Sequence, residues 1–254
     1  MVHVGALPGT PRSAESVKDI AARAVDEARM LAGAGFDAVI IENMHDAPYL
    51  RREVGPEIIA AMTVVAASVR AAVAVPIGIQ ILAGANRAAL AVAHSTGLGF
   101  VRAEGFVFAS VADEGILEEA DAGPLLRYRR AIGAEKVAVL ADIKKKHSAH
   151  AITADVSIAE TARNAEFFGA DGLIVTGAAT GSATSLNDLR EARSASKLPL
   201  AVGSGATPET LRDLFQQADA VIVGSWYKAG GDWRGAPDPA RVKELVAAAK
   251  RSRE

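Results

Sequence analysis

Residues 136–176, KVAVLADIKKKHSAHAITADVSIAETARNAEFFGADGLIVT, contain one complete folding unit. The apolar, β-branched run Lys136–Ile143 reads as a strand, and a polar connection follows from Lys144 to Asp155. A helical stretch begins near Ser157, and Gly172–Thr176 opens the next strand. A strand, a helix and a second strand in this order make a right-handed crossover in a parallel sheet. The same alternation recurs along the chain. Strands are predicted at Val2–Leu7, Ala38–Asn43, Val75–Ile81, Gly99–Ala103, Leu200–Gly203 and Ala220–Gly224, with helices beginning near Ser13, Val54, Asn86, Pro124, Leu186, Pro208 and Asp238. Eight such units, with no Gly-rich G-x-G-x-x-G turn after the first strand, favour an α/β fold of the closed (β/α)8 TIM-barrel type over an open doubly wound sheet. At 254 residues the chain has the length of one barrel, so residues 1–254 are expected to form a single domain.

Composition narrows the function classes. Half the residues are hydrophobic and only 5% are aromatic, which suits strands buried on both faces under Ala-rich helices. The net charge of −2 gives no overall attraction to nucleic acid or anionic membrane, so nucleic-acid binding and membrane insertion are not expected. The chain has no cysteine, which excludes disulfides, thiolate metal sites and a cysteine nucleophile. No apolar run approaches the roughly 20 residues of a membrane span. The opening MVHVGALPGTP lacks a signal-peptide layout, so a cytoplasmic protein, expected to be a homo-oligomer, is the reading.

In barrels of this type the chemistry sits at the C-terminal ends of the strands. Val202–Thr207 and Val223–Ser225 place glycines and hydroxyls after the last two strands, where such barrels commonly hold phosphate. Gly203, Ser204, Gly205, Gly224 and Ser225 are therefore candidate phosphate ligands; ordinary tight turns are the alternative. The helix after Thr207-Pro208-Glu209 is expected to be capped by Thr207, and Gly33 and Gly35 mark a helix end. The Gly/Thr-rich loop from Thr176 to Ser182 could extend the cradle or act as a lid.

Asp142 and Lys144 at the end of the fifth strand share one face by alternation, opposite Ile143, and form a candidate proton-transfer pair. His147 follows one loop turn later, and the loop from Lys145 to Asp155 is expected to be less ordered than the strands and to close over a ligand. The bland reading is a solvated basic loop. Glu42 is a candidate general base, or else a buried structural acid paired with Arg102, itself a candidate anchor for a carboxylate or phosphate. His3, Asn43, Gln80 and Thr176 complete the expected substrate-binding set. His3, Glu42, Asp142 and His147 together would admit a divalent metal, although they form no local ligand motif.

The opening Val2-His3 with Ala6–Pro11, Glu42-Asn43 with Asp46–Tyr49, and above all Asp142–Thr153 resemble the BtpA/SgcQ family. The resemblance runs on through Asp155–Ala162, Val175–Gly177, Gly203–Gly205 and Val223–Ser225. It implies a TIM barrel in a family whose members are named for photosystem I biogenesis or accompany sugar-uptake genes. Gln80 and Ala83–Asn86 depart from the family pattern, which often reads Asn and then Leu-Arg-Asn-Asp there. Two functions follow as expectations. One is an enzyme acting on a small phosphorylated metabolite, a sugar phosphate or nucleotide, by acid/base chemistry of the lyase, isomerase or glycosidic-cleavage type. The other is a non-catalytic assembly factor, which should carry a large apolar surface patch.

Overall fold

The computed structural model describes residues 1–144, 147–177 and 183–253. In chain order the first half comprises β1 (Val2–His3), α1 (Val17–Ala34), β2 (Val39–Glu42), α2 (Pro56–Ala72), β3 (Ile77–Gln80), α3 (Asn86–Thr96), β4 (Phe100–Ala103), β5 (Ser110–Ala112), β6 (Gly115–Leu117) and α4 (Ala122–Ala131). The second half comprises β7 (Ala138–Ile143), β8 (Ser148–Ala149), α5 (Ile158–Phe167), β9 (Gly172–Val175), α6 (Leu186–Ala195), β10 (Leu200–Val202), α7 (Leu211–Phe215), β11 (Ala220–Val221) and α8 (Pro239–Arg253). Eight strands form a parallel sheet in the order β1-β2-β3-β4-β7-β9-β10-β11, and helices alternate with them. This is the α/β TIM-barrel class expected from the repeat.

By contact density the chain divides into two compact units. The first holds Met1–Ala103 and Leu125–Ala138. Within it β2 and β3 are buried along their whole length, and α1 and α2 cover them with Ile20, Ala24, Ala28, Leu31, Met62, Val65 and Val69. Ser16 caps α1 by accepting the Asp19 N–H, and Gly35 ends it in the left-handed region with its N–H on the Ala32 carbonyl. Gly33, expected with Gly35 at the helix end, lies inside α1. In β3, Gly78 pairs with Phe100 of β4, whose ring occupies the space a Cβ would need.

The second unit holds Glu104–Pro124 and the chain from Val139 onward. Ser157 and Ser185 cap α5 and α6 through the Glu160 and Asp188 N–H groups. Thr207 does not cap a helix directly. Its carbonyl accepts from Thr210 and Leu211, so Pro208 and Glu209 sit in a preceding turn and α7 starts at Leu211. The larger departure from the sequence reading is a second sheet, β6-β5-β8, antiparallel throughout. It is built from the connection after β4 and from the polar connection after β7, read from the sequence as a loop, which carries β8 and a 3-10 turn at Ala151–Thr153. Residues 145–146 of that connection and residues 178–182 of the Gly/Thr-rich loop lie outside the described residues.

Replacing Gly78 with Ala should cost about 1–3 kcal/mol in urea unfolding, because the new methyl must displace the Phe100 ring. Adding Phe100→Val in the same chain should recover most of that loss, read as a coupling energy in a double-mutant cycle.

Candidate active site at the strand ends

In the first unit the register places polar residues side by side at the ends of the strands. His3 lies opposite Glu42, and Glu42 opposite Gln80. Arg102 continues the row one residue beyond the Ile79–Val101 pair. Lateral neighbours in a sheet point to the same face, so four polar side chains share one layer. Glu42, Gln80 and Arg102 are each no more than 5% exposed, in positions where charge is tolerated only with partners. The Glu42 carboxylate stands 3.6 Å from His3 Nε2.

Asn43, one residue past β2, holds backbone together. Its Nδ2 donates to Asp46 Oδ2 at 2.8 Å and its Oδ1 accepts the Leu82 N–H at 2.7 Å. Asp46 Oδ1 in turn accepts the Leu7 N–H at 2.8 Å. Two buried side chains thereby stitch the connections after β1, β2 and β3. Burial pushes the Asp46 carboxyl above its ordinary 3.8, against the pull of the Leu7 N–H and the Asn43 amide.

In the second unit Asp142 is the penultimate residue of β7, 4% exposed, and lies beside Ile174 of β9. The strand stops at Ile143, and Lys144 takes a left-handed backbone with φ 51°. Strand alternation therefore does not extend to Lys144, yet it and Asp142 line the same small polar recess, together with Ser110, His150, Thr153 and Thr161. Lys144 Nζ donates to the Val156 carbonyl at 2.5 Å, tying the start of the connection to its end. His147, also left-handed, has its Nδ1 3.6 Å from the Asp113 carboxylate in the turn between β5 and β6. Its carbonyl accepts the Asp113 N–H. His147 is thus held by the hairpin, whereas His150, which the sequence reading passed over, lines the recess.

The glycine turns are partly committed to the fold. The Gly203 N–H extends the ladder to the Val175 carbonyl, and Ser204 Oγ accepts the Gly177 N–H at 2.8 Å. The Ser204 carbonyl accepts from Thr184, Gly205 is left-handed at φ 72°, and Thr176 is buried next to this turn. After β11 the Ser225 carbonyl accepts the Lys228 N–H, and Lys228 is 2% exposed, a buried lysine that no periodicity in the sequence signals. Among the described residues no group of three or more His, Asp or Glu is arranged to hold a metal, so the divalent-metal expectation for His3, Glu42, Asp142 and His147 finds no assembled ligand set there. Among the same residues no helix is long and apolar enough to cross a membrane.

The model of the BtpA family matches residues 1–251. An uncharacterized Caenorhabditis elegans protein whose name carries the word mitochondrial is 46% identical over 251 residues, 97% of this chain and 90% of the relative. The photosystem I biogenesis protein BtpA of Synechocystis is 37% identical over 249 residues, 98% of this chain and 86% of that protein. Among solved structures, the Thermoplasma acidophilum (S)-3-O-geranylgeranylglyceryl phosphate synthase, in complex with its substrate sn-glycerol-1-phosphate, superposes with a TM-score of 0.58. It is 16% identical, with 89% of this chain and 87% of that chain covered, a likeness of fold.

The raised carboxyl of Asp46 has a consequence for pH. A group whose pKa is higher when folded stabilises the fold fully below its unfolded value and loses that contribution as pH rises through the folded value. Between pH 3.8 and the raised value, wild-type stability should therefore decline with pH relative to Asp46→Asn. At pH 7 the variant should still be less stable by about 1–3 kcal/mol, because its amide nitrogen faces the Asn43 donor. Urea titrations of both proteins from pH 4 to 7 measure the two effects.

Proposed function

From membership of the BtpA family, which the match over residues 1–251 establishes, we propose that this chain is an enzyme acting on a small phosphorylated metabolite, a sugar phosphate or a nucleotide, by acid/base chemistry at the ends of its strands. The observation that carries this reading is the recess in which a buried carboxylate, Asp142, and an ammonium group, Lys144, meet hydroxyl side chains. A buried acid at the end of an apolar strand is costly unless a partner or a ligand uses it. Asp142 would exchange the proton, and Lys144 would hold the connection closed and stabilise negative charge near the substrate.

Phosphate would be held by Ser204, Gly205, Gly224 and Ser225, with Gly203 supplying close approach of the backbone, since its own N–H is spent on Val175. Thr176 would add a hydroxyl to this end of the site. In the first unit His3, Glu42, Gln80 and Arg102 are candidate substrate-binding residues by themselves, with Glu42 a second candidate base; Asn43 would act by holding the loops. The glycerol phosphate bound by the Thermoplasma synthase supports a phosphorylated ligand for this kind of barrel. A single domain spanning residues 1–254, a homo-oligomeric state and a cytoplasmic location complete the proposal.

An assembly role has one observation in its favour besides the name of the Synechocystis relative. Phe167 and Phe168 at the end of α5 are 84% and 49% exposed and stack edge to face with ring centres 5.4 Å apart.

Inorganic phosphate should shift the backbone amide resonances of Ser204, Gly205, Gly224 and Ser225; unchanged resonances at millimolar phosphate would contradict the cradle. Sugar phosphates and nucleotides that raise the unfolding free energy by about 2.7 kcal/mol at 100 times their dissociation constant would identify the substrate. Asp142→Asn should then lower turnover by about two to four orders of magnitude while keeping phosphate binding. No turnover or ligand-dependent stabilisation with any sugar phosphate or nucleotide, together with a function lost on Phe167→Ser, would favour assembly.

A further inference from the structure

We infer that the recess at the end of β7 is a hydroxyl-binding subsite whose histidine is His150, in the place the sequence reading gave to His147, and that it selects a sugar phosphate over a nucleotide. This inference rests on the proposed phosphate-substrate reading and assigns the other end of the ligand.

Three observations carry it. The first is the fate of the two histidines. His147 is fixed to Asp113 by side chain and backbone, which makes it a latch between the β5–β6 hairpin and the connection after β7. His150 comes three residues later, after β8 has paired with β5 through Ala149 and Val111, and it opens the 3-10 turn Ala151–Thr153 beside Asp142 and Lys144. The second sheet therefore turns the chain so that His150, and not His147, lines the recess that Asp142 also lines.

The second observation is the chemistry of the walls. The charged groups lining the recess are Asp142 from β7 and Lys144 from the connection; β5 contributes Ser110 and α5 contributes Thr161. The Thr161 hydroxyl donates to the Ser157 carbonyl and that of Thr153 to the His150 carbonyl, which leaves their oxygens as acceptors toward the recess. Besides the apolar Val107, Phe108 and Ala109, the recess offers Asp142, His150 and hydroxyl acceptors that match the O–H groups of a ligand, with Lys144 as a donor.

Size is the third. The recess offers about 30 Å³, room for a water or one hydroxymethyl group and too little for a heteroaromatic ring. A nucleobase is excluded from it, while the free hydroxyl end of a short phosphorylated polyol or sugar fits. His150 would accept a hydrogen bond from that hydroxyl when neutral and donate one when protonated.

Imidazole NMR titration of the whole chain from pH 5 to 8 tests the assignment. Asp142→Asn should move the titration midpoint of His150 downward by at least about 0.5 and leave the His147 resonances in place. A His150 midpoint unchanged in Asp142→Asn, or a change confined to His147, would overturn it. Where Asp142→Asn does not fold, binding of ribose 5-phosphate decides: His150→Gln should weaken it at least about tenfold and His147→Gln no more than about twofold. Equal losses, no binding by the wild type, or tighter binding of adenosine monophosphate than of ribose 5-phosphate would overturn the inference. Failure of inorganic phosphate to shift Gly205 and Gly224 would count against the phosphate reading alone, because the response of His150 to Asp142→Asn needs no phosphate.

Discussion

Burial of polar side chains at the last residues of otherwise apolar parallel strands is the constraint around which this structure is organised. Strands covered on both faces accept Val, Ile, Leu and Ala along their length, as β2, β3, β9 and β10 do. Each polar residue at a strand end must then be bonded within the fold or used by a ligand. Glu42 is met by His3, Asp46 by Leu7 and Asn43, and Ser204 by Gly177. Asp142 lines a recess together with Lys144, His150 and the hydroxyls of Ser110, Thr153 and Thr161.

The parallel strands were legible because the β-branched runs are long enough to show their period. Their ends were less so: β1 stops at His3 and β11 at Val221, short of the expected Leu7 and Gly224, with a last ladder bond from the Val4 N–H to the Glu42 carbonyl and from the Ile222 N–H to the Val202 carbonyl. The β6-β5-β8 sheet escaped notice for a physical reason. Its strands are three, three and two residues long, and β5 is completed by Ser148–Ala149, more than 30 positions away in the chain, so no local periodicity announces it. The Thr207 cap failed in a similar way, since a turn through Pro208 delays α7 to Leu211.

For the site, Asp142 and Lys144 were legible as residue types at a strand end. The route of the chain beyond them was not. Left-handed backbone at Lys144 and again at His147 breaks the alternation from which side-chain direction was inferred. Two non-glycine residues in that region, within one connection, redirect the chain so that His147 goes to Asp113 and His150 to the recess. Lys228 and Ser110 carry no sequence signal of their own, because their burial depends on how distant segments fold over them.

A crystal structure of the whole chain grown with ribose 5-phosphate measures the central claim directly. The account requires the phosphate group at Ser204, Gly205, Gly224 and Ser225 and a sugar hydroxyl in the recess against Asp142 and His150. Sugar phosphate bound elsewhere on the chain, with the recess filled only by water, would contradict it.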